Sequence, residues 1–430
     1  MVAYASWRSR NLTLSILLKQ RQGNLVVCII GSPSSENPRG PQKFVVQFSK
    51  WLSHRSIKGV VICGSLRKLA TSINVNNIST TLFENEESAL IKHLPSLVFS
   101  LSFSFLSFLK IIHLNKKHRL SMIHAQDANY SAMAAIVAAR IIRVPVVLHI
   151  HGINMNVIRL LLKPKWLEKS VIARLYRAYY LFLQKELIKR SDCVICVSEG
   201  DTKILPIGEK ILIPMGVDTA SFQLTQNSAA IREEFRVPKH AFTLGYVGAL
   251  SAGKGLHLLL KLFHCVLQEM PQEASKCLLI VGDGPQKRGL EELAIELGIS
   301  QYLRFTGFRT DVVRLLSIMD IFVFLSESEG SPTAILEAMA SGKAIIASDI
   351  SSIREIVRNG EEAILVDPRS MPDLKRAVML LYNDPDLRAE LGRKARTRAE
   401  LYDIDRVYGQ ILKLYEKLVA TKRNLNCLRS

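Results

Sequence analysis

Apolar residues along this chain come in short continuous runs set between polar, glycine- and proline-bearing turns. In the first half the runs are Leu25–Ile30, Gly59–Cys63, Met122–His124, Pro145–Ile150, Cys193–Val197 and Ile211–Ile213. In the second they are Thr243–Val247, Leu278–Val281, Leu303–Thr306, Ile321–Leu325, Ala344–Ala347 and Ile364–Val366. Uninterrupted runs of this length suit strands covered on both faces, as in parallel sheets. Helical spacing appears between several of them, first over Gln42–His54. Strand and helix alternating in this way predict an α/β chain with doubly wound parallel sheets. The plan occurs twice with no long linker, so the expectation is two domains facing across a cleft, with ligands at the carboxyl ends of the strands.

The stretch Ile321–Asp349 concentrates the chemistry. Its strand runs into a polar turn, Ser326–Ser331, holding Glu327 and Glu329. Ser331 stands where an N-cap is expected, Pro332 at the first helical position and Gly342 just past the end of a helix over Pro332–Ser341. The backbone N–H groups of Thr333 and Ala334 would then face an anion at the strand's carboxyl end. Glu329 and Glu337 bracket that turn. A capped helix with one solvated acid accounts for the same letters.

Three further turns sit at strand ends. Gly245-Tyr-Val-Gly248-Ala-Leu-Ser-Ala-Gly253-Lys254-Gly255 leads from a strand into a helix, its glycines admitting a phosphate and Lys254 supplying a point charge. Val281-Gly282-Asp283-Gly284-Pro285 and Gly307-Phe308-Arg309 would lie along the same edge. In the first half His149 and His151, two apart at the end of a strand, share a face. No third ligand stands at metal spacing nearby, so metal binding is not expected there. His124 closes another strand and reads as structural.

Two segments break the regular plan. Leu94–Leu109 is uncharged and carries five serines. It falls short of the ~20 residues that span a bilayer and is expected as a buried or interfacial helix. Val157–Arg190 mixes lysines and arginines with Trp166, Tyr176, Tyr179, Tyr180 and Phe182, a mixture suited to a lipid headgroup surface and also to a solvated basic face.

Composition sharpens this. The net charge is +19, and residues 1–225 hold 29 Lys and Arg against 12 Asp and Glu. A basic first half beside a near-neutral second half predicts an anionic partner, nucleic acid or anionic lipid. Seven scattered cysteines argue for a reducing compartment, not a disulfide framework. Cys193 and Cys196 form a CxxC, but in a strand they point to opposite faces. Residues 1–23 are expected as a non-cleaved lead-in.

Taken together, GYVGALSAGKG, LLIVGDGP, RFTGF, SESEGSPTAILEAMASGKAIIASD and ILIPMGVD resemble the retaining GT-B glycosyltransferases of family 4 (glycosyl transferases group 1). The resemblance runs from about Asn24 to Tyr415 and is densest over 240–367. It implies a GT-B architecture: an acceptor-binding Rossmann-like domain over 24–225, a nucleotide-sugar-binding one over 226–390, and a last helix over 391–430 that crosses back to the first domain. It implies that Lys254 holds the donor diphosphate, Glu337 the nucleotide ribose and Glu329 the donor sugar hydroxyls. Gly248, Ser331, Pro332, Thr333 and Ala334 would contact sugar and diphosphate, Asp283 and Arg309 the base region. His151 matches the histidine near the sugar, and His151, Lys254 and Glu329 are the catalytic candidates. The chain departs from the family pattern at Ala249, where an arginine is usual, at Arg39-Gly40 in place of a double glycine, and at Met215 in place of an asparagine. Arg288 or Arg309 is a candidate to replace the missing arginine.

The implied reaction moves a sugar from a nucleotide-diphosphate sugar to a hydroxyl of a glycan or lipid-linked acceptor, in envelope or extracellular polysaccharide biosynthesis. Lys254 and helix-end N–H groups would oppose the charge growing on the departing diphosphate, so neither a divalent metal nor another cofactor is expected. The expected location is cytoplasmic, peripheral on an anionic membrane surface. Competing readings are the same chemistry on a soluble acceptor, a nucleotide-sugar epimerase of the same fold, and a nucleic-acid binder, the last resting on charge alone because no nucleic-acid motif accompanies it.

Overall fold

The computed structural model describes residues 25–30, 40–63, 78–82, 96–126, 128–151, 171–205, 208–223 and 228–427. The lead-in 1–23, Arg39 and the 152–170 part of the aromatic and basic segment lie outside the described residues. The chain divides into two compact units. One comprises the residues up to Val197 with Asp201–Ile213 and Gln410 onward; the other comprises Ser198–Gly200 and Pro214–Gly409.

Strands β1 (Val26–Ile30), β2 (Lys58–Cys63), β3 (Ile78–Leu82), β4 (Met122–Gln126), β5 (Val146–Ile150), β6 (Cys193–Cys196) and β7 (Lys210–Leu212) form the sheet of the first unit. All pairs are parallel and the order is β3-β2-β1-β4-β5-β6-β7. Alternate residues face opposite layers. Cys28, Ile30, Ile123, Ala125, Leu148 and Ile150 pack with Ile111, Leu114, Ala135, Ile136, Leu187 and Ile188. The latter come from helices Ser96–His118, Tyr130–Ile142 and Val171–Arg190. On the opposite face His124 and His149 meet Phe44 and Phe48 of helix Gly40–His54, and His124 meets Tyr415 of the last helix.

The second unit repeats the plan with β8 (Phe242–Val247), β9 (Lys276–Val281), β10 (Leu303–Gly307), β11 (Ile321–Phe324), β12 (Ala344–Ser348) and β13 (Ile364–Val366). Its order is β10-β9-β8-β11-β12-β13, again parallel throughout. The strand order reverses between β8 and β11, where doubly wound sheets open a crevice for ligands. Each unit thus has the Rossmann-like winding that the GT-B resemblance implies.

Three expectations need correction. Strand β3, ISTTL, was not expected: it is an edge strand, and its sequence holds β-branched residues but no apolar run. The serine-rich helix begins at Ser96 and continues to His118, because Ser104, Ser107, Ile111 and Leu114 keep one buried stripe. Ser104 resolves its polarity by donating to the Tyr130 carbonyl at 2.6 Å. No helix among the described residues is long and apolar enough to cross a membrane. The stretch expected as one last helix, 391–430, is divided between two, Pro385–Ala399 and Ile404–Cys427. Asp403 breaks it. Its carboxylate accepts from the Asp405 N–H at 2.8 Å, starting the new helix, and from the Thr219 hydroxyl at 2.6 Å.

Candidate active site

In the second unit, the turns after β8, β9, β10 and β11 close on one another through backbone. Gly248 N–H donates to Val281 at 2.9 Å, Leu250 N–H to Asp283 at 3.0 Å, and Gly282 N–H to Gly307 at 2.9 Å. Glu327 N–H and the Ser326 hydroxyl both donate to the Gly253 carbonyl, at 2.8 and 3.1 Å. Gly255 and Gly282 are among the positions that require glycine. Gly255 precedes helix Leu256–Leu267 with φ +66°, and a Cβ there would lie 2.1 Å from the Leu325 carbonyl oxygen. At Gly282, with φ +141°, a Cβ would lie 1.8 Å from the Gly248 carbonyl oxygen. A side chain at either would push the turns apart.

This packing sets Lys254 against Glu329, Nζ to Oε1 at 2.5 Å, with side-chain exposures of 25% and 12%. The pair lies at the β8/β11 switch point. Tyr246 lies beneath it and donates its hydroxyl to the Ala249 carbonyl at 3.1 Å. Burial, and secondarily the Glu329 charge, raise the Tyr246 pKa. Ala249 thus contributes its backbone carbonyl to the turn.

Helix Thr333–Ala340 follows β11. Contrary to expectation, Ser331 does not cap it and Pro332 is not its first residue. Pro332 has ψ 100°, outside the helical range, and makes no side-chain cap bond. The Ser331 hydroxyl instead accepts from the Met215 N–H at 3.4 Å, in the IPMGVD segment. The other end is as the sequence suggests: Gly342, φ +65°, closes it with Gly342 N–H to Met339 at 2.8 Å and Lys343 N–H to Ala338 at 3.0 Å. Glu337 is half-buried in the second turn of this helix.

The flanking residues are differently engaged. Asp283 is exposed at the end of β9, its carboxylate accepting from the Gly284 N–H at 2.7 Å. Arg309, after β10, makes two 2.8 Å bonds to Asp311, one of 3.3 Å to Glu234, and lies over the Phe235 ring at 5.3 Å. The Asp311 hydrogen bond raises the Arg309 pKa, and Arg309 lowers that of Asp311. Arg288 is exposed and pairs with Glu292 on its own helix at 2.9 Å. The structure therefore brings Gly248, Lys254, Glu329, Ser331–Ala334 and Glu337 to the switch point. Asp283 and Arg309 lie at the ends of the neighbouring strands.

His151 belongs to the first unit. It stacks on His149 at 4.2 Å between ring centroids, so the two do share a face. Its Nε2 bonds the Gln126 side-chain oxygen. The Gln126 amide nitrogen lies 3.1 Å from His124 Nε2, and His124 Nδ1 bonds the Tyr415 hydroxyl. With Gln126 oriented this way, His151 Nε2–H donates to Gln126, Gln126 donates to His124 Nε2, and His124 Nδ1–H points to Tyr415. Burial pushes the pKa of both His124 and His151 down to about 3, so each is a neutral imidazole. His149 is also pushed well down by burial, and among the described residues neither of its ring nitrogens has a hydrogen-bond partner. Gln126 and Tyr415 were not among the sequence candidates. The described residues hold no group of three or more His, Cys, Asp or Glu placed to bind a metal ion.

Comparison with known proteins covers both units. Residues 227–398 match the family model for glycosyl transferases group 1, and residues 39–205 match the glycosyl transferase 4-like domain. D-inositol 3-phosphate glycosyltransferase of Corynebacterium urealyticum is 30% identical over 254 residues, 55% of this chain and 59% of that protein. N,N'-diacetylbacillosaminyl-diphospho-undecaprenol alpha-1,3-N-acetylgalactosaminyltransferase of Campylobacter jejuni is 35% identical over 126 residues, 29% of this chain and 34% of that protein. The chain thus spans less than two thirds of the length of these curated relatives. The crystal structure of Anabaena HepE in complex with UDP and glucose superposes with a TM-score of 0.72 at 20% identity, over 92% of this chain and all of that one, and so shares its fold. The two matched regions follow the two units in order: residues 227–398 belong to the glycosyl transferases group 1 family and residues 39–205 to the glycosyl transferase 4-like domain.

Proposed function

We propose that this protein is a retaining, metal-independent glycosyltransferase that moves a sugar from a nucleotide-diphosphate sugar to a hydroxyl of a glycan or lipid-linked acceptor, in envelope or extracellular polysaccharide biosynthesis. The observation that carries the reading is the Lys254–Glu329 pair, held at 2.5 Å where the strand order of the second sheet reverses. A diphosphate entering there competes with Glu329 for the lysine. Once it has taken Lys254, the Glu329 carboxylate accepts hydrogen bonds from sugar hydroxyls. Diphosphate and sugar are thereby oriented by the two halves of one ion pair, with the backbone at Ser331–Ala334 beside them and Glu337 on the ribose.

During transfer the bond from the anomeric carbon to the diphosphate oxygen breaks, and a bond to the acceptor oxygen forms on the same face. The acceptor's proton passes to the departing phosphate oxygen. Lys254 and the nearby N–H groups stabilise the negative charge that grows on that oxygen. His151, kept neutral by burial and held by Gln126, adds no positive charge at the carboxyl ends of the first unit's strands. The relatives support the acceptor class: one is named for a diphospho-undecaprenol-linked substrate. Association with an anionic membrane surface, on its cytoplasmic face, is supported by Phe105, Leu109, Val137, Ile141 and Phe182, exposed on helices that also carry Arg140, Lys185 and Lys189.

The test is transfer activity in Lys254→Ala and Glu337→Ala. Loss of one oxyanion-stabilising group costs about 10²–10³ in rate. Lys254→Ala should fall at least that far, and Glu337→Ala, which removes the ribose contact, should also lose transfer, both while keeping the wild-type circular dichroism spectrum. Most of the activity surviving in either one sinks the assignment.

A further inference from the structure

Lys254 and Glu329 stand on two different turns, 75 positions apart in the chain, so their contact depends on what holds one turn against the other. Part of that hold is backbone. The Glu327 N–H donates to the Gly253 carbonyl at 2.8 Å, and Gly255 lies so close to the Leu325 carbonyl that no side chain fits between them.

A side chain adds to it. Ser326, two residues past β11, is fully buried. Its hydroxyl lies 3.1 Å from the Gly253 carbonyl oxygen and 3.3 Å from that of Ser328, with the geometry of a donor to both. One proton shared between two acceptors makes a three-centre bond. Gly253 immediately precedes Lys254, and Ser328 immediately precedes Glu329. A single hydroxyl therefore ties down the backbone beside each member of the ion pair. The same turn also carries a second acid. Glu327 is exposed, whereas the Glu329 side chain is only 12% exposed. A buried hydroxyl adds little net stability over an apolar residue. What it adds here is direction.

We infer that Ser326 is a positioning residue of the transfer site. It acts through Lys254 and Glu329, selecting Glu329 over Glu327 as the lysine's partner and holding the pair together before a donor arrives. Its consequence for catalysis rests on the proposed function, but the geometry it sets is measurable without a donor.

Zero-length cross-linking with a water-soluble carbodiimide reads that geometry, because the activated carboxylate forms an amide only with an amine already in contact with it. Mass spectrometry quantifies the Lys254–Glu329 and Lys254–Glu327 products in wild type, Ser326→Ala and Ser326→Cys. The control is Ser317→Ala, which removes a hydroxyl bonded to the Arg314 carbonyl at 2.6 Å elsewhere in the same unit. Ser326→Ala keeps the Glu327 N–H bond to Gly253 and should fold. Ser326→Cys keeps a weak donor and is the second variant. The Lys254–Glu329 product should fall about tenfold in Ser326→Ala, the effect of one lost hydrogen bond, fall less in Ser326→Cys, and hold at the wild-type level in the control. Equal yields in wild type and Ser326→Ala, an equal fall in the control, or no such product in wild type overturns the inference.

Donor binding is read separately, as the melting-point rise given by millimolar UDP, GDP or ADP. Ser326→Ala should reduce that rise in the wild-type background and not reduce it further in Lys254→Ala, because its effect passes through the lysine. Additive losses would make Ser326 merely structural and overturn the inference. A cross-link that falls as expected, in a protein that none of the three nucleotides stabilises, upholds the positioning role and sinks the donor-site reading instead.

Discussion

Acidification from pH 7 to pH 5 should selectively destabilise the first unit. His124 and His151 titrate near 6.5 in an unfolded chain, and burial pushes both down to about 3 in the folded one. A base whose folded pKa is depressed stays neutral in the native state while the unfolded state takes up a proton. Its stability contribution is therefore complete above 6.5 and is lost as pH falls towards 3. Over pH 7 to 5 the linkage relation gives about 2 kcal/mol per histidine, or about 4 kcal/mol for the two. His149, between Phe44 and its stacking neighbours His124 and His151, acts in the same direction. That loss is a large part of the 5–15 kcal/mol that stabilises an ordinary domain. Urea unfolding at pH 7, 6 and 5 measures it, with tryptophan fluorescence as the probe. Trp51 is buried in the first unit, so a Trp7→Phe/Trp166→Phe background leaves a signal that reports that unit. His149→Phe keeps the aromatic packing, removes one titration, and loses no hydrogen bond to a described residue. It should flatten the pH slope and raise stability at pH 5. A tryptophan transition at the same urea concentration at pH 7 and pH 5 would show that these histidines are not held neutral, and the reasoning would fail.

Two more outcomes follow from packing. Gly282→Ala places a methyl 1.8 Å from the Gly248 carbonyl oxygen, so the variant should be destabilised by about 2 kcal/mol or more, seen as a lowered denaturation midpoint of the second unit, and should lose nucleotide-diphosphate-dependent thermal stabilisation. An unchanged midpoint would mean that the turns can separate. Cys28, Cys193 and Cys196 are buried, and burial raises their pKa to about 12, about 12 and about 11, so Ellman's reagent at pH 8 should leave them unmodified until the first unit unfolds. Rapid reaction of the native protein at Cys193 or Cys196, located by mass spectrometry, would reopen a redox role for the CxxC.

What the sequence disclosed, and what it hid, follows from how each element is stabilised. The central strands were legible because both faces are buried, which leaves unbroken apolar runs such as Ile321–Phe324. The turns at Lys254 and Gly282 were legible because close backbone contact leaves only glycine possible there. Edge strand β3 has no such signature. The break at Asp403 was hidden because the helices on either side both keep a helical apolar period, while the residue that separates them binds Thr219, 184 positions away. Ser331 looked like a cap because its neighbours allow one, yet its hydroxyl is taken by Met215, 116 positions away. The line from His151 to Tyr415 was beyond reach for the same reason: its last bond joins residues 291 apart.

The first half's excess of positive charge also has a structural origin that composition does not reveal. Lys116, Lys117 and His118 fall in the last turn of one helix, Arg140 in that of a second, and Lys189 and Arg190 in that of a third. None of the three has an acid in its first turn. Cations at helix carboxyl ends are favoured by the backbone dipole, by about 0.3–1 kcal/mol each. In a parallel sheet the connecting helices run against the strands, so all their carboxyl ends arrive at the amino edge. A local preference repeated three times thus becomes one positive edge, to which the last helix adds Lys422 and Arg423. Some of that charge is paired internally, as in Arg190–Glu186 at 3.3 Å and Lys422–Asp192 at 2.9 Å. A duplex-binding protein would instead need its cations along an element shaped for a groove. The first unit gathers them at strand and helix ends.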